Sequence, residues 1–250
     1  MIRSFFTATS GVITENKNLS IRSNNIANTN TAGFKKDTPI NSTFAGMLLT
    51  RLSNEDPGTI GDADFMNIAQ TPFTDHTQGG FDDTERIFDC AILGDGYFSV
   101  QTEGGQTYLT RNGEFYLSAD GYLCHVRGGY VLDDNNAPIN IGEVGDQFSV
   151  SSSGDIIANG EILTRIGVTN VNDLNTLMKI DEGFFTRPDD AYINEAPRIK
   201  SKTLEHSNVN ITQEMADVIA SSRHFQACSQ VMKMVDEMTQ QTVTEIAKMS

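Results

Sequence analysis

Apolar residues recur every seven positions at both ends of this chain, and the middle alternates in short runs. Phe5, Val12, Leu19 and Ile26 form the first series, with Ile2, Phe6 and Ile13 widening the stripe. No Pro and a single Gly, Gly11, interrupt residues 1 to 28. This predicts an amphipathic helix with a seam like that of a coiled coil. Thr9, Asn16 and Ser23 break the stripe, so the helix is marginal until its apolar face is packed.

The far end repeats the design. Ile211, Val218, Phe225 and Met232 are again seven apart, flanked by Met215, Ile219, Cys228, Val235 and Met238, with Ile246 resuming the series. Asn210, followed three residues later by Gln213, fits a capping-box start, and neither Gly nor Pro follows residue 198. A helix of ~35 residues is expected there.

From about residue 85 to 202, Asp-Gly, Gly-Gly and Asn-Gly pairs punctuate short alternating runs at intervals suited to an antiparallel meander. "FYLSADGYLCHVRGGYVL" from Phe115 is echoed by "FSVSSSGDIIANGEIL" from Phe148, which points to two copies of a strand-turn-strand unit in a β domain. Residues 37–84 have no sustained period. "STFAGMLLTRL" fits a short helix or strand, and the remainder reads as extended connector. The expected class is α+β, with two terminal helices and a central antiparallel β domain.

Charge changes this picture in two ways. The formal net charge of −15 removes the phosphate-neutralising term on which nucleic-acid binding depends, and it disfavours an anionic membrane surface. Residues 1–36 carry five basic side chains against Glu15, a net +4, while residues 205–250 carry three basic and six acidic groups, a net −3. Opposite signs favour pairing of the ends, within one chain or between neighbours. No apolar run approaches the length of a membrane span, and the start lacks the unbroken apolar stretch of a secretory signal. The expectation is a chain without direct membrane insertion, exported without a cleaved signal.

The candidate chemistry is thin. Cys90, Cys124 and Cys228 are too scattered for a disulfide framework and read as buried thiols, and the four histidines never fall at ligand spacing. Neither a metal nor a cofactor is expected. Gly94 and Gly96 precede a strand-like run, whereas a dinucleotide loop opens a helix. Asp133 to Asn136 lacks the glycine of a calcium loop. Asp82, Asp83 and Glu85 have no evident acid-base partner and read as a solvated charge run.

The most unusual stretch is "SNNIANTNTAGFKK", residues 23–36. Asn28 and Asn30 suit a helix C-terminus, Gly33 the following turn, and Lys35 and Lys36 the negative end of the helix dipole. Asn24 and Asn25 exceed that need. They fit amides that bond to neighbouring backbones in a crowded assembly.

This stretch resembles the N-terminal signature of the bacterial flagellar rod and hook protein family. "SNVNITQEMADVIASSRHFQACSQVMKMVDEM" (residues 207–238) is similar to the family's C-terminal helix, and "GDGYFSV", "YLTRNGEF" and "ADGYL" to its central β domain. Asn112 stands where the family commonly has Asp, His224 and Cys228 where it has other residues, and residues 63–70 find no counterpart.

The resemblance implies that residues 1–36 and 203–250 pair as an inner coiled-coil domain, with a connector over 37–84 and an outer β domain over 85–202. It implies a non-enzymatic subunit of the flagellar basal body, in the cell envelope. Such a subunit self-associates in a helical tube, contacts other rod and hook axial proteins and is handled by the flagellar type III export apparatus. A single short β domain resembles the rod branch, and within it the distal type, more than the hook. The expected assembly interface comprises Phe5, Val12, Leu19, Asn24, Asn25, Ile26, Asn28, Gly33, Phe34, Ile211, Val218, Phe225 and Met232. A hook or other axial protein of the family, or a secreted β-rich adhesin, stands as the alternative.

Overall fold

The computed structural model describes residues 2–43, 47–51, 58–63, 67–102, 104–142, 148–158, 160–181, 183–194 and 196–249. The chain forms two units. A helical unit takes residues 1–27, 37–75 and 210–250, and a β unit takes 28–36 and 76–209. Residues 28–36, contiguous with the first helix in sequence, thus belong to the β unit.

In the helical unit, α1 spans Ile2–Ala27 and α2 spans Ile211–Met249. The Oδ1 of Asn210 accepts from the backbone N–H groups of Thr212 and Gln213 at 3.1 and 3.2 Å, which caps α2. Gln213 does not close the reciprocal half of a capping box; its amide donates forward to Asp217 instead. The helices run antiparallel: Arg22 pairs with Asp217, Glu15 lies 3.7 Å from His224, and Gly11 abuts Cys228.

Where an extended connector was expected, the described segments of residues 37–75 pair as an antiparallel ribbon. Asp37–Thr38 pairs with Phe73–Thr74, Asn41–Thr43 with Asn67–Ala69, and Met47–Arg51 with Gly58–Ala63. "STFAGMLLTRL" therefore contributes a strand, and its residues 44–46 and 52 lie outside the described residues. The described outer pairs carry only exposed and half-buried positions, with none buried, so no period-2 apolar signal marks them in the sequence. The ribbon is anchored to α1 through Thr14, whose hydroxyl donates to Asn67 O, and Lys17, whose ammonium donates to the carbonyls of Ala69 and Gln70.

The β unit is built on a nine-stranded sheet. Its continuous path runs through Phe115–Leu117, Leu123–His125, Tyr130–Val131, Tyr97–Gln101, Thr107–Thr110, Phe184–Thr186 and Lys179–Asp181. The echoed sequences each make a three-stranded meander. Phe115–Leu117 begins one inside the large sheet, and Phe148–Val150, Asp155–Ala158 and Glu161–Arg165 form the other as a separate sheet. Phe115 and Phe148 both enter one apolar core with Phe98, Ile156 and Ile199. Both hydrophobic clusters among the described residues lie in this unit. Gly94 and Gly96 adopt φ of +95° and +122° in the turn before Tyr97–Gln101, so they serve a strand turn and open no helix.

Cys90 and Cys124 are buried as expected, and burial pushes the Cys90 thiol up to about 12. Cys228 is only half-buried, because it packs against Gly11 between two helices rather than inside a core. The acidic run is exposed at Asp82 and Asp83 and not wholly unpaired: Asp83 accepts from Lys200 and from the Thr203 hydroxyl.

Candidate assembly site

The two predicted stripes do not make a dry seam between α1 and α2. Along α1, Ala8, Gly11, Glu15, Asn18 and Arg22 form one line of small and polar residues at 3-4 spacing that is buried or meets α2; buried Asn25 continues the spacing, while buried Ser10 and Thr14 lie off it. At ~100° per residue, the series of Phe5, Val12, Leu19 and Ile26 lies ~60° to one side. Phe5 is exposed, and Val12, Leu19 and Ile26 are half-buried. Gly11 explains the choice of face. A Cβ there would sit 3.0 Å from the Cys228 sulfur, so the helices approach too closely for larger side chains at that level.

On α2 the corresponding line is Glu214, Val218, Ser221, Phe225, Cys228, Met232 and Val235, all buried or half-buried. Ile211 stands outside it, exposed. Arg22 pairs with Asp217 and lies 3.8 Å from the buried Glu214 carboxylate, so the opposite charges of the two ends do meet. Many of the larger apolar side chains nevertheless face outward. Phe5, Phe6 and Ile13 on α1 and Met215, Ile219, Val231, Met234, Met238, Val243 and Ile246 on α2 are each 41–63% exposed. Beyond Val235, every described α2 side chain is exposed. At 1.5 Å per residue this is an overhang of ~20 Å.

The asparagine run divides at the end of α1. Asn25 is fully buried, and its amide clasps the backbone of Asp37: Nδ2 donates to Asp37 O at 2.8 Å and Oδ1 accepts from Asp37 N–H at 3.0 Å. Asn24 is exposed. The excess amide at Asn25 thus bonds a backbone, but one within its own chain, and it fixes where the ribbon starts.

In the β unit, Asn28 is buried and accepts from the Thr31 hydroxyl and, through its carbonyl, from Thr31 N–H. Neither Asn28 nor Asn30 is left-handed, because the turn after the helix is closed by these bonds; the positive φ in the run belongs to Gly33, at +67°. A Cβ on Gly33 would fall 2.3–2.4 Å from the backbone of Arg111 and Asn112, so conformation and space both require glycine.

Lys35 corrects the helix-dipole expectation. It is fully buried within the β unit, where its ammonium donates to Glu205 Oε1 at 2.6 Å and to Thr77 O at 2.7 Å. An ammonium taken wholly out of water needs a full charge opposite, which a helix end does not supply. Glu205 also accepts from Gly79 N–H at 3.1 Å and lies 3.4 Å from Arg111, whose guanidinium stacks 5.0 Å above the Tyr97 ring. Gly33 N–H donates to Glu205 O at 2.7 Å. Phe34 is fully buried beneath the Lys179 ammonium, which stands 3.9 Å from its ring centroid and donates to Lys35 O. Lys36 N–H donates to Asn208 Oδ1 at 2.8 Å.

Sequence reasoning missed Glu205, Arg111, Thr77 and Asn208. In Thr203–Glu205 the two polar residues point inward and Leu204 is half-buried, which inverts the usual alternation. A charged residue flanked by alternating strand positions was the available signal.

Among the described residues no group of His, Cys, Asp and Glu is arranged to hold a metal, and no helix is long and apolar enough to cross a membrane.

Three family profiles match in order along the chain: the flagella basal body rod protein over residues 5–35, the flagellar hook protein FlgE/F/G D1 domain over 91–158, and the flagellar basal body rod FlgEFG protein C-terminal region over 200–245. The flagellar basal-body rod protein FlgG of Bacillus subtilis is 32% identical over 97% of this chain and 98% of its own length. FlgF of Caulobacter vibrioides is 29% identical over the whole of both chains, and the hook-basal body complex protein FlhO of Bacillus subtilis is 25% identical over 99% of this one. With a buried N-terminal strap, a central β unit and an antiparallel pair of terminal helices in the order these profiles describe, the chain belongs to the family of flagellar basal-body rod proteins.

Proposed function

We propose that this chain is a structural subunit of the flagellar rod, of the distal type, that polymerises through α1 and α2 into a helical tube. That tube transmits torque and lets exported subunits pass. Its relatives carry the names of basal-body rod proteins, which supports the structural role and a place in the basal body within the cell envelope. The observation that carries the polymerisation reading is the apolar surface of the helical unit: α1 meets α2 along small and polar side chains, and many large apolar side chains of the two helices stay exposed.

Such a surface costs free energy in water, since full burial of one large apolar side chain stabilises by ~1.5–3 kcal/mol. Neighbouring copies that cover it gain that term. Contacts that repeat along a screw axis extend into a tube instead of closing. Phe5, Val12, Leu19, Ile26, Ile211, Val218, Phe225 and Met232 are proposed as its contacts and their flanks, with Asn24 on the exposed rim. Asn25, Asn28, Gly33 and Phe34 serve it indirectly, by holding the segment that follows α1. Other rod and hook axial proteins are the proposed neighbours, and the flagellar type III apparatus the proposed route of export. No catalytic step is proposed.

Deleting residues 1–30 is expected to abolish assembly and motility. Electron microscopy of the purified chain, alone and with axial partners, should show tubes or filaments. Discrete closed rings of a few subunits would overturn the reading.

A further inference from the structure

We propose that Lys35, Glu205 and Arg111 form a buried ionic key that fixes the register of the strap 28–36 against the strand Thr203–Glu205, and that its role is uniqueness of closure rather than net stability. Three stretches of the β unit meet at this cluster: the strap, residues 77–79 and residues 203–208. Glu205 binds the first through Lys35 Nζ and Gly33 N–H and the second through Gly79 N–H. Asn208 repeats the arrangement two residues short of α2's cap, accepting from Lys36 N–H and donating to Thr77 O and Oγ1, both at 3.2 Å. Each of these stretches adjoins a point where the chain leaves or re-enters the β unit, at residues 36, 76 and 209. The key therefore ties three exits of one unit together.

The chemistry favours a register role. Lys35 and Glu205 have no exposed side-chain surface, and Arg111 is 4% exposed. Two cations face one carboxylate, and Arg111 Nε has no hydrogen-bond partner. Such an arrangement gains little over an apolar filling of the same volume, because desolvation offsets most of the Coulombic attraction. A misplaced strap is a different matter. Moving the strap by one residue replaces Lys35 opposite Glu205 with Phe34 or Lys36, breaks the Gly33 and Lys36 amide bonds, and drives a Cβ into the Arg111–Asn112 backbone where only Gly33 fits. Phe34 and Lys179 reinforce the same register, since the Lys179 ammonium both covers the Phe34 ring and bonds Lys35 O.

The test is amide hydrogen exchange on the purified full-length chain, so it reads the β unit without requiring polymerisation. Glu205→Gln leaves two buried cations without their carboxylate, and Lys35→Met removes the ammonium that joins the strap to Glu205 and Thr77 O, so in both variants Gly33 and Lys36 amides are expected to exchange ~100-fold faster or more. Because a single variant can unfold the unit, the deciding protein is K35M/R111M/E205L, in which apolar side chains replace the whole key. Its sheet amides in Tyr97–Gln101 and Thr107–Thr110 are expected to keep the wild-type protection, while Gly33 and Lys36 amides stay fast. Wild-type protection of Gly33 and Lys36 in K35M or in the triple variant would overturn the proposal. Loss of sheet protection in the triple variant would make the charges a stability element and overturn it equally.

Discussion

Asn25→Leu removes the amide that joins the last turn of α1 to the start of the ribbon, and its cost can be worked from the geometry. Asn25 has no exposed surface, and its side chain makes two hydrogen bonds of 2.8 and 3.0 Å to the backbone of half-buried Asp37. Each bond contributes a net ~0.5–1.5 kcal/mol, and a buried backbone group left unpaired costs ~1–3 kcal/mol. Leucine removes both bonds to the Asp37 backbone, though half-exposure lets water recover part of the loss. The expected destabilisation is ~2–4 kcal/mol. Asn25→Asp keeps the acceptor for Asp37 N–H and sets a carboxylate oxygen against Asp37 O, so it should fall in the same range by a different route. Asn24→Ala, one residue away and exposed, should stay within ~0.5 kcal/mol. Urea unfolding followed by helical circular dichroism gives the three values, and exchange at the Asp37 amide localises the effect. Asn25→Leu with wild-type stability and a protected Asp37 amide would refute the clasp.

Other consequences are as direct. Burial, with Arg127 adding to it, holds the His125 imidazole down to about 4 from its ordinary 6.5, so the folded chain prefers the neutral ring. Between those values the unfolded state binds the extra proton. Stability should therefore fall by ~3 kcal/mol as pH drops from 6.5 to about 4, and denaturation of His125→Phe as a function of pH should lack that share of the slope. Gly113→Ala places a Cβ 1.7 Å from the Cys90 carbonyl oxygen, and a loss of ~3 kcal/mol or more is expected in thermal unfolding of the β unit. Met238→Glu with Ile246→Glu alters only exposed α2 positions, so monomer stability should hold within ~0.5 kcal/mol while sedimentation and electron microscopy show assembly lost.

The class of the fold and the existence of both long helices were legible because they rest on short-range pattern. Seven-residue recurrence, an Asn cap on the second helix and the near-absence of Gly and Pro mark both helices locally, and Gly-punctuated alternation marks a meander. Which face of a helix turns inward is another kind of information. The stripe through Phe5 and Ile26 reads as a seam, yet Gly11 against Cys228 brings the helices together along a smaller, more polar line. The 37–75 ribbon was illegible because its described outer strands present no continuous apolar face to an interior.

The run "SNNIANTNTAGFKK" shows the same division. Sequence alone marked it as dense in amides, glycine and lysine, and as the family's N-terminal signature. Only the tertiary structure gave Asn25 to the helical unit and Lys35 to the β unit, because the partners of Lys35, Thr77 and Glu205, lie 42 and 170 positions away. Local pattern records which elements form, since their bonds close within a few residues. Burial of a charge depends on groups that meet only when the chain has folded, and no local period encodes them.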